Sequence, residues 1–401
     1  MKENRMYLLK TVEALERLLN SYEEICFYGA GYYLDVVLQE LEKLDRMYLK
    51  KIKNILVTDP DRNPDTIRGI PVIGYYRATI GPGDCVLLTL GHRYAGEIYE
   101  LLKDTGANMV QIDFNMFQRE AYLDMKKSLQ PFIDGFPGNL SGENQPICTE
   151  EITAWTCWWQ GETRAPELVQ ACLESQRKNL PEGVRHVVIT EDNYRDYISL
   201  PEYITEKVQR GSITLTALSD MIRATLLYRY GGFWLDATLL ICQPLEKTML
   251  EYPIYTRNLP ETQYCTDAMW SGWFLYVKRS GERIFAFLME SFFYYFSLHD
   301  KLKYYFMIDY VIAIGCNTFP EVKAQFKAVP YNNEGAQELV KHLTEPFEQR
   351  RMEEYMKGAS IQKLTYKLGQ IAEGNITGTV YEYIIKKYVP RGNRKGGRIE
   401  L

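Results

Sequence analysis

Histidine is scarce in this chain, with four in 401 residues, and no HExxH spacing joins any two of them, which argues against a His-based metal cage. The eight cysteines are scattered without a CxxC pair, so neither a zinc knuckle nor a disulfide framework is indicated, and most of them are expected to be small buried residues. No run approaches the roughly 18 apolar residues that a spanning helix needs; the densest aromatic stretch, "SFFYYFSL" at 291–298, is far too short. Positive charge is not in excess either: the net charge of −5 speaks against a nucleic-acid partner. The first twenty residues mix acids with leucines and lack a small-residue cleavage site, so they read as a helix and the protein is expected in the cytosol. Any metal would have to sit on oxygen ligands.

The remaining composition is that of an ordinary globular protein, and its length points to two domains. Short apolar runs, "EEICFYGAG", "IKNILVTD", "CVLLTL" and "NMVQID", alternate with helical patterns, which predicts a Rossmann-like α/β domain over 1–125. The Pro- and Gly-rich text of 126–146 predicts a linker, and a second α/β domain is expected over 147–385. In it, "ITAWTCWWQG", "VRHVVIT" and "GWFLYVKR" read as strands. Helices are predicted at 165–177, 201–209, 214–230, 284–299 and 303–315. Residues 386–401, with six Lys or Arg against one Glu, read as a basic tail. That tail and the aromatic segment would either meet the inner face of an anionic membrane or, for the tail, simply be solvated.

The chemistry concentrates in "LSDMIRATLLYRYGGFWLDAT", residues 218–238. Asp220 and Arg223 lie three apart on a predicted helix and share a face, so one carboxylate and one guanidinium can serve a single ligand. Gly231 and Gly232 end that helix, and a short strand then delivers Asp236 to the carboxyl edge of the sheet, where α/β proteins bind ligands. If the chain stays extended, Asp236 and Thr238 point to one side. A carboxylate with a hydroxyl neighbour suits Mg²⁺ or Mn²⁺ shared with a phosphate-bearing substrate; alternatively, Asp236 bonds its own turn and Asp220 and Arg223 form a surface pair.

This segment resembles the signature of the capsular polysaccharide synthesis family within glycosyltransferase family 32. The similarity runs upstream through "WWQGETRAPELVQACLESQRKNL" and, more weakly, downstream to "IDYVIAI" and "IQKLTYKLG". The resemblance implies a GT-A fold, a sugar-nucleotide donor, a divalent cation (Mn²⁺ or Mg²⁺) and transfer with retention of configuration. It assigns Asp220 and Arg223 to the donor's ribose and sugar, and Asp236 to the metal, with Thr238 at the second acidic position of the DxD motif. Trp159 would stack on the donor base or, like Trp155 and Trp158, be a core residue. Asp309 matches a family position that would orient the acceptor hydroxyl or hold neighbouring residues, or it is a helical acid facing solvent. Where related enzymes place a late histidine or acid near the metal, this chain has Gln362-Lys363, and Lys363 would either neutralise diphosphate or be a solvated lysine.

In the first domain, Gly29-x-Gly31 is followed by Leu34 where a dinucleotide fingerprint has its third glycine, and Asp59 lies 28 residues beyond Gly31. NAD is therefore not expected, and a structural or docking role is favoured over nucleotide binding. The expected activity is metal-assisted, retaining transfer of a sugar, from a UDP-sugar, to a hydroxyl of a capsular or other surface polysaccharide or a lipid-linked oligosaccharide. The alternatives are an NAD-dependent oxidoreductase acting on nucleotide sugars and a non-catalytic assembly factor that keeps the sugar-nucleotide fold.

Overall fold

A computed structural model describes residues 7–90, 92–136, 143–260, 265–266, 268–366 and 376–389. The chain divides into two compact units, Met1–Ala121 and Tyr122–Leu401. Both are α/β.

The first unit contains strands β1 (Tyr7–Leu9), β2 (Ile25–Tyr28), β3 (Ile52–Val57), β4 (Thr66–Ile67), β5 (Ile70–Gly74), β6 (Cys85–Leu88) and β7 (Asn108–Ile112). Helices α1 (Val12–Ser21), α2 (Tyr32–Leu44) and α3 (His92–Leu102) connect them. The sheet order is β1-β7-β6-β2-β3-β5-β4, parallel throughout except for the edge strand β4. Alternate residues of one strand feed two cores. Phe27 joins the cluster under α1 and α2 with Leu15, Leu34 and Leu38, whereas Cys26 and Tyr28 join Val86, Leu88 and Ala95 on the other face. Burial on both faces is why these strands read as unbroken apolar runs.

Gly29 follows β2 with φ +108°, and a Cβ there would lie 2.8 Å from the Thr89 carbonyl oxygen. The Thr89 hydroxyl donates to the carbonyls of Tyr28 and Gly29, each at 2.9 Å. Close packing between the ends of β2 and β6 thus accounts for this glycine. Asp59 accepts from the Asp61 N–H at 3.2 Å and caps a turn.

Helix α4 (Asn115–Gly135) begins in the first unit and ends in the second. It occupies much of the stretch expected as a linker, 126–146. Pro131 lies inside the helix and removes one backbone donor, but Phe132 and Phe136, C-terminal to it, pack on Phe287 at 5.5 and 5.2 Å. Packing of these half-buried rings holds the helix where the prolines and glycines suggested a linker. Farther along, the Asn144 side chain bonds both the carbonyl and the N–H of Ser199, at 2.7 and 2.9 Å. Residues 137–142 of the expected linker lie outside the described residues.

The second unit has a five-stranded sheet in the order β12-β13-β10-β8-β9. Its members are β8 (Thr153–Cys157), β9 (Arg185–Ile189), β10 (Gly232–Leu235), β12 (Ile254–Thr256) and β13 (Phe274–Val277); β11 (Leu239–Ile241) pairs elsewhere. Strands β9, β8 and β10 are parallel, so their carboxyl ends share one edge, and β13 and β12 continue the sheet in antiparallel fashion. The helices are α5 (Glu167–Asn179), α6 (Glu202–Gln209), α7 (Leu215–Tyr230), α8 (Arg283–Leu298), α9 (Met307–Thr318), α10 (Pro320–Lys327), α11 (Gln349–Tyr355) and α12 (Val380–Tyr388).

The aromatic run on α8 is core: Phe292 and Phe296 are fully buried, so these rings do not face a membrane. No helix among the described residues is long and apolar enough to cross one. Of the expected basic tail 386–401, the first residues belong to α12, with Lys386 bonded to Glu382 at 2.7 Å, and residues 390–401 lie outside the described residues.

Candidate functional site

The site is built at the carboxyl edge of the parallel strands in the second unit. Thr214 caps α7 by accepting from the Ala217 N–H at 3.2 Å, and the helix then runs buried for most of its length. Gly231 ends it with φ +69°, its N–H donating to the Leu227 carbonyl at 3.0 Å. Gly232, at φ +84°, starts β10 so close to β8 that a Cβ would sit 2.1 Å from the Thr153 carbonyl oxygen. The double glycine therefore does two jobs, closing the helix and allowing the strands to touch.

Asp236 stands one residue beyond β10. The chain does not stay extended there: the Leu239 N–H donates to the Asp236 carbonyl at 2.9 Å and closes a turn. Strand alternation is thus not what brings Asp236 and Thr238 together. The juxtaposition comes instead from β11 pairing antiparallel with β14 (Ile361–Lys363), which places Lys363 opposite Leu239. Lys363 Nζ donates to Asp236 Oδ2 at 2.7 Å and to Thr238 Oγ1 at 2.6 Å.

The other carboxylate oxygen is also occupied. Asp236 Oδ1 accepts from Arg223 Nη2 at 3.2 Å and from Trp234 Nε1 at 3.0 Å. The same Arg223 nitrogen lies 3.3 Å from Asp220 Oδ1, and the guanidinium sits over the Trp234 ring at 4.8 Å. Gly272 makes room for it, since a Cβ at that position would lie 3.0 Å from Arg223 Nη1. Asp220, Arg223, Asp236, Thr238 and Lys363 therefore form one connected polar group.

Asp309, on α9, reaches this group electrostatically and not by direct bonding; its Oδ1 accepts from Trp270 Nε1 at 3.0 Å. Trp159 stands apart. It lies two residues past β8, half-buried, with its ring 5.2 Å from that of Tyr194.

The charges are strongly perturbed. Burial, reinforced by Asp236 and Asp309 and opposed by Arg223, pushes Asp220 up to about 7. Burial likewise pushes Asp309 up to about 6, against the Trp270 hydrogen bond and the Arg223 charge. For Asp236, burial would do the same, but Lys363 and Arg223 outweigh it and hold the carboxyl below its ordinary value. Of the three carboxylates, Asp236 is the one held low, clasped between two cations.

A residue without a sequence signal fixes the turn. Gln176 on α5 is fully buried, and its Nε2 donates to the carbonyls of Asp236 and Leu239 at 3.0 and 2.8 Å. Its Oε1 accepts from Thr156 Oγ1 at 2.9 Å and lies 2.9 Å from His186 Nε2. Nothing in the sequence singles out Trp234, Trp270, Gly272 or Gln176 for these contacts, and only the fold reveals what each one holds.

A hard dication bound here needs oxygen ligands that face it. Both oxygens of Asp236 already accept from N–H donors, and the Thr238 hydroxyl accepts from the same ammonium. Among the described residues, no group of three or more His, Cys, Asp or Glu side chains is placed to hold an ion. As arranged, this donor set does not fit Mn²⁺ or Mg²⁺.

Compared with known protein families, residues 109–384 match the family described as capsular polysaccharide synthesis protein. The match spans the whole of the polar group just described. No curated protein matches the chain.

Proposed function

The chain belongs to the capsular polysaccharide synthesis family, and from that premise we propose that it is a glycosyltransferase of GT-A type. It moves a sugar from a nucleotide-diphosphate donor, a UDP-sugar, to a hydroxyl of a capsular or other surface polysaccharide with retention of configuration. One observation carries this reading: two cations, Arg223 and Lys363, meet on the Asp236 carboxylate at the carboxyl edge of the parallel strands. Arg223 is nearly fully buried, yet its Nε has no partner, which leaves a donor for a ligand.

In the proposed reaction the bond from the anomeric carbon to the diphosphate oxygen breaks while the acceptor oxygen bonds that carbon on the same face. The acceptor's proton passes to the departing diphosphate. Negative charge grows on the leaving oxygen, and fixed cations in a partly dry site stabilise it best. Trp159, paired with Tyr194, offers a stacking face for the base, and Asp220 with Arg223 addresses ribose and sugar. Asp309, held by Trp270, orients the acceptor hydroxyl. The first unit serves a structural or docking role. Nothing favours an oxidoreductase acting through that unit.

Incubating the protein with a panel of UDP- and GDP-sugars, with and without Mn²⁺, tests the proposal through slow donor hydrolysis. Hydrolysis of at least one donor, lost in Asp236→Ala, is the expected result. If no donor is cleaved, or if the variant cleaves as fast as the parent, the assignment fails.

A further inference from the structure

The geometry points to Lys363 as the diphosphate counter-charge of this site, its ammonium occupying the place that a divalent cation would take, so that donor binding and cleavage proceed without metal. This inference rests on the transferase reading and deepens it.

Position is the first argument. The two side chains expected to hold a metal, Asp236 and Thr238, are the two that Lys363 Nζ bonds, at 2.7 and 2.6 Å. A Mg²⁺ ion would bind a carboxylate oxygen at about 2.1 Å, which would press it against the ammonium on the same oxygen. Only one of the two can occupy that corner.

Rigidity is the second argument. Lys363 is not a loose surface lysine swinging onto a carboxylate. Its N–H donates to the Ala336 carbonyl at 2.7 Å, and the next N–H, of Leu364, donates to the Thr238 carbonyl at 2.9 Å. Its neighbour Gln362 is fully buried; it accepts from the Leu339 N–H at 3.1 Å and donates to the Gly335 carbonyl at 2.9 Å. The strand that carries the ammonium is therefore anchored on both sides. The side chain itself remains partly accessible, at 23%, so a ligand can reach it.

The third argument is chemical. The second acidic position of a two-carboxylate metal motif is Thr238 here, and a hydroxyl accepts a hydrogen bond from an ammonium without adding charge. Arg223 is shared between Asp220 and Asp236, whereas Lys363 meets one carboxylate and one neutral hydroxyl, so Lys363 is the cation with charge left for a diphosphate. An ammonium has three donors: two are directed to Asp236 and Thr238, and the third is left for a phosphate oxygen. As the bond to the anomeric carbon breaks, Lys363 keeps its proton and hydrogen-bonds the departing oxygen, and the acceptor's proton goes to the diphosphate.

The test uses the full chain, stripped with chelator, and titrates UDP, GDP and CDP by calorimetry in EDTA and again in Mn²⁺. Donor-sugar hydrolysis is followed in parallel. For the nucleotide that binds, affinity in EDTA should match that in Mn²⁺. Lys363→Met should lose affinity by about tenfold or more in EDTA, the size of a charge-assisted hydrogen bond. Lys363→Arg, which keeps the charge, should recover part of it, and an unchanged far-ultraviolet spectrum and melting profile establish that each variant is folded. If binding or hydrolysis needs Mn²⁺, or if Lys363→Met binds as well as the parent in EDTA, the inference is overturned and the transferase reading stands. If no nucleotide binds under either condition, both fall.

Discussion

Replacing Gln176 by leucine removes the clamp on the turn that carries Asp236, and the cost can be worked out partner by partner. The Asp236 carbonyl keeps one donor, the Leu239 N–H at 2.9 Å. Thr156 and His186 lie 3.0 Å apart and can still bond each other. The Leu239 carbonyl fares worse: Lys363, its strand neighbour, sends its N–H to Ala336, so nothing replaces the lost amide. Two bonds to backbone vanish and one buried carbonyl is stranded, which together cost about 3 kcal/mol. For a unit of this size that corresponds to a melting shift of about 5–10 °C. All six tryptophans, at 155, 158, 159, 234, 270 and 273, belong to the second unit, so fluorescence-detected urea unfolding reports on it alone. Nucleotide affinity should fall as well, because the loosened turn no longer presents Asp236 to Arg223 and Lys363. An unfolding free energy within about 0.5 kcal/mol of the parent, the ordinary scatter of inconsequential substitutions, would refute this account.

Gly232→Ala should prevent the second unit from folding at ordinary yield, since the added Cβ would meet the Thr153 carbonyl at 2.1 Å with φ at +84°; soluble expression and tryptophan emission will show whether it does. Asp220 is raised to about 7 by burial, so the folded state keeps a proton that the unfolded chain releases near pH 4. Stability from this group is present at acid pH and declines as pH rises from about 4 to 7. His186, lowered to about 4 by burial, works in the opposite sense, so the measurement is the difference between parent and Asp220→Asn across that range. That difference should shift steadily against the parent and level off above pH 7, and a flat difference would exclude the assignment.

Much of the fold was legible because its strands are buried on both faces or lie at regular intervals. β2, β3, β6 and β7 stand out as apolar runs, and α7 is announced by its Thr214 cap and closing glycines. β1, β4 and β5 were not visible: they are two to five residues long, and Pro71 interrupts the last of them. At 126–135, local composition pointed to loop, and the packing of Phe132 and Phe136 overrode it. For the site, the pairing of Asp220 with Arg223 follows from helical spacing, because the two are one turn apart. The grip of Lys363 on Asp236 does not. It depends on register between β11 and β14, whose three residues apiece carry no periodic signal, across 127 positions of sequence. The alternation argument for Thr238 reached the correct neighbour through the wrong geometry, since a turn and not a strand joins it to Asp236.

The pairing of β11 with β14 also bears on timing during synthesis. A ribosome releases Asp220, Arg223 and Asp236 well before Lys363, so a nascent chain holds α7 and the Asp236 carboxylate while the ammonium is still unmade. Until β14 pairs beside Leu239, Asp236 lacks its closest cation and keeps only Arg223 and Trp234 as side-chain partners. The polar group is therefore complete only once β14 has been made and has paired with β11.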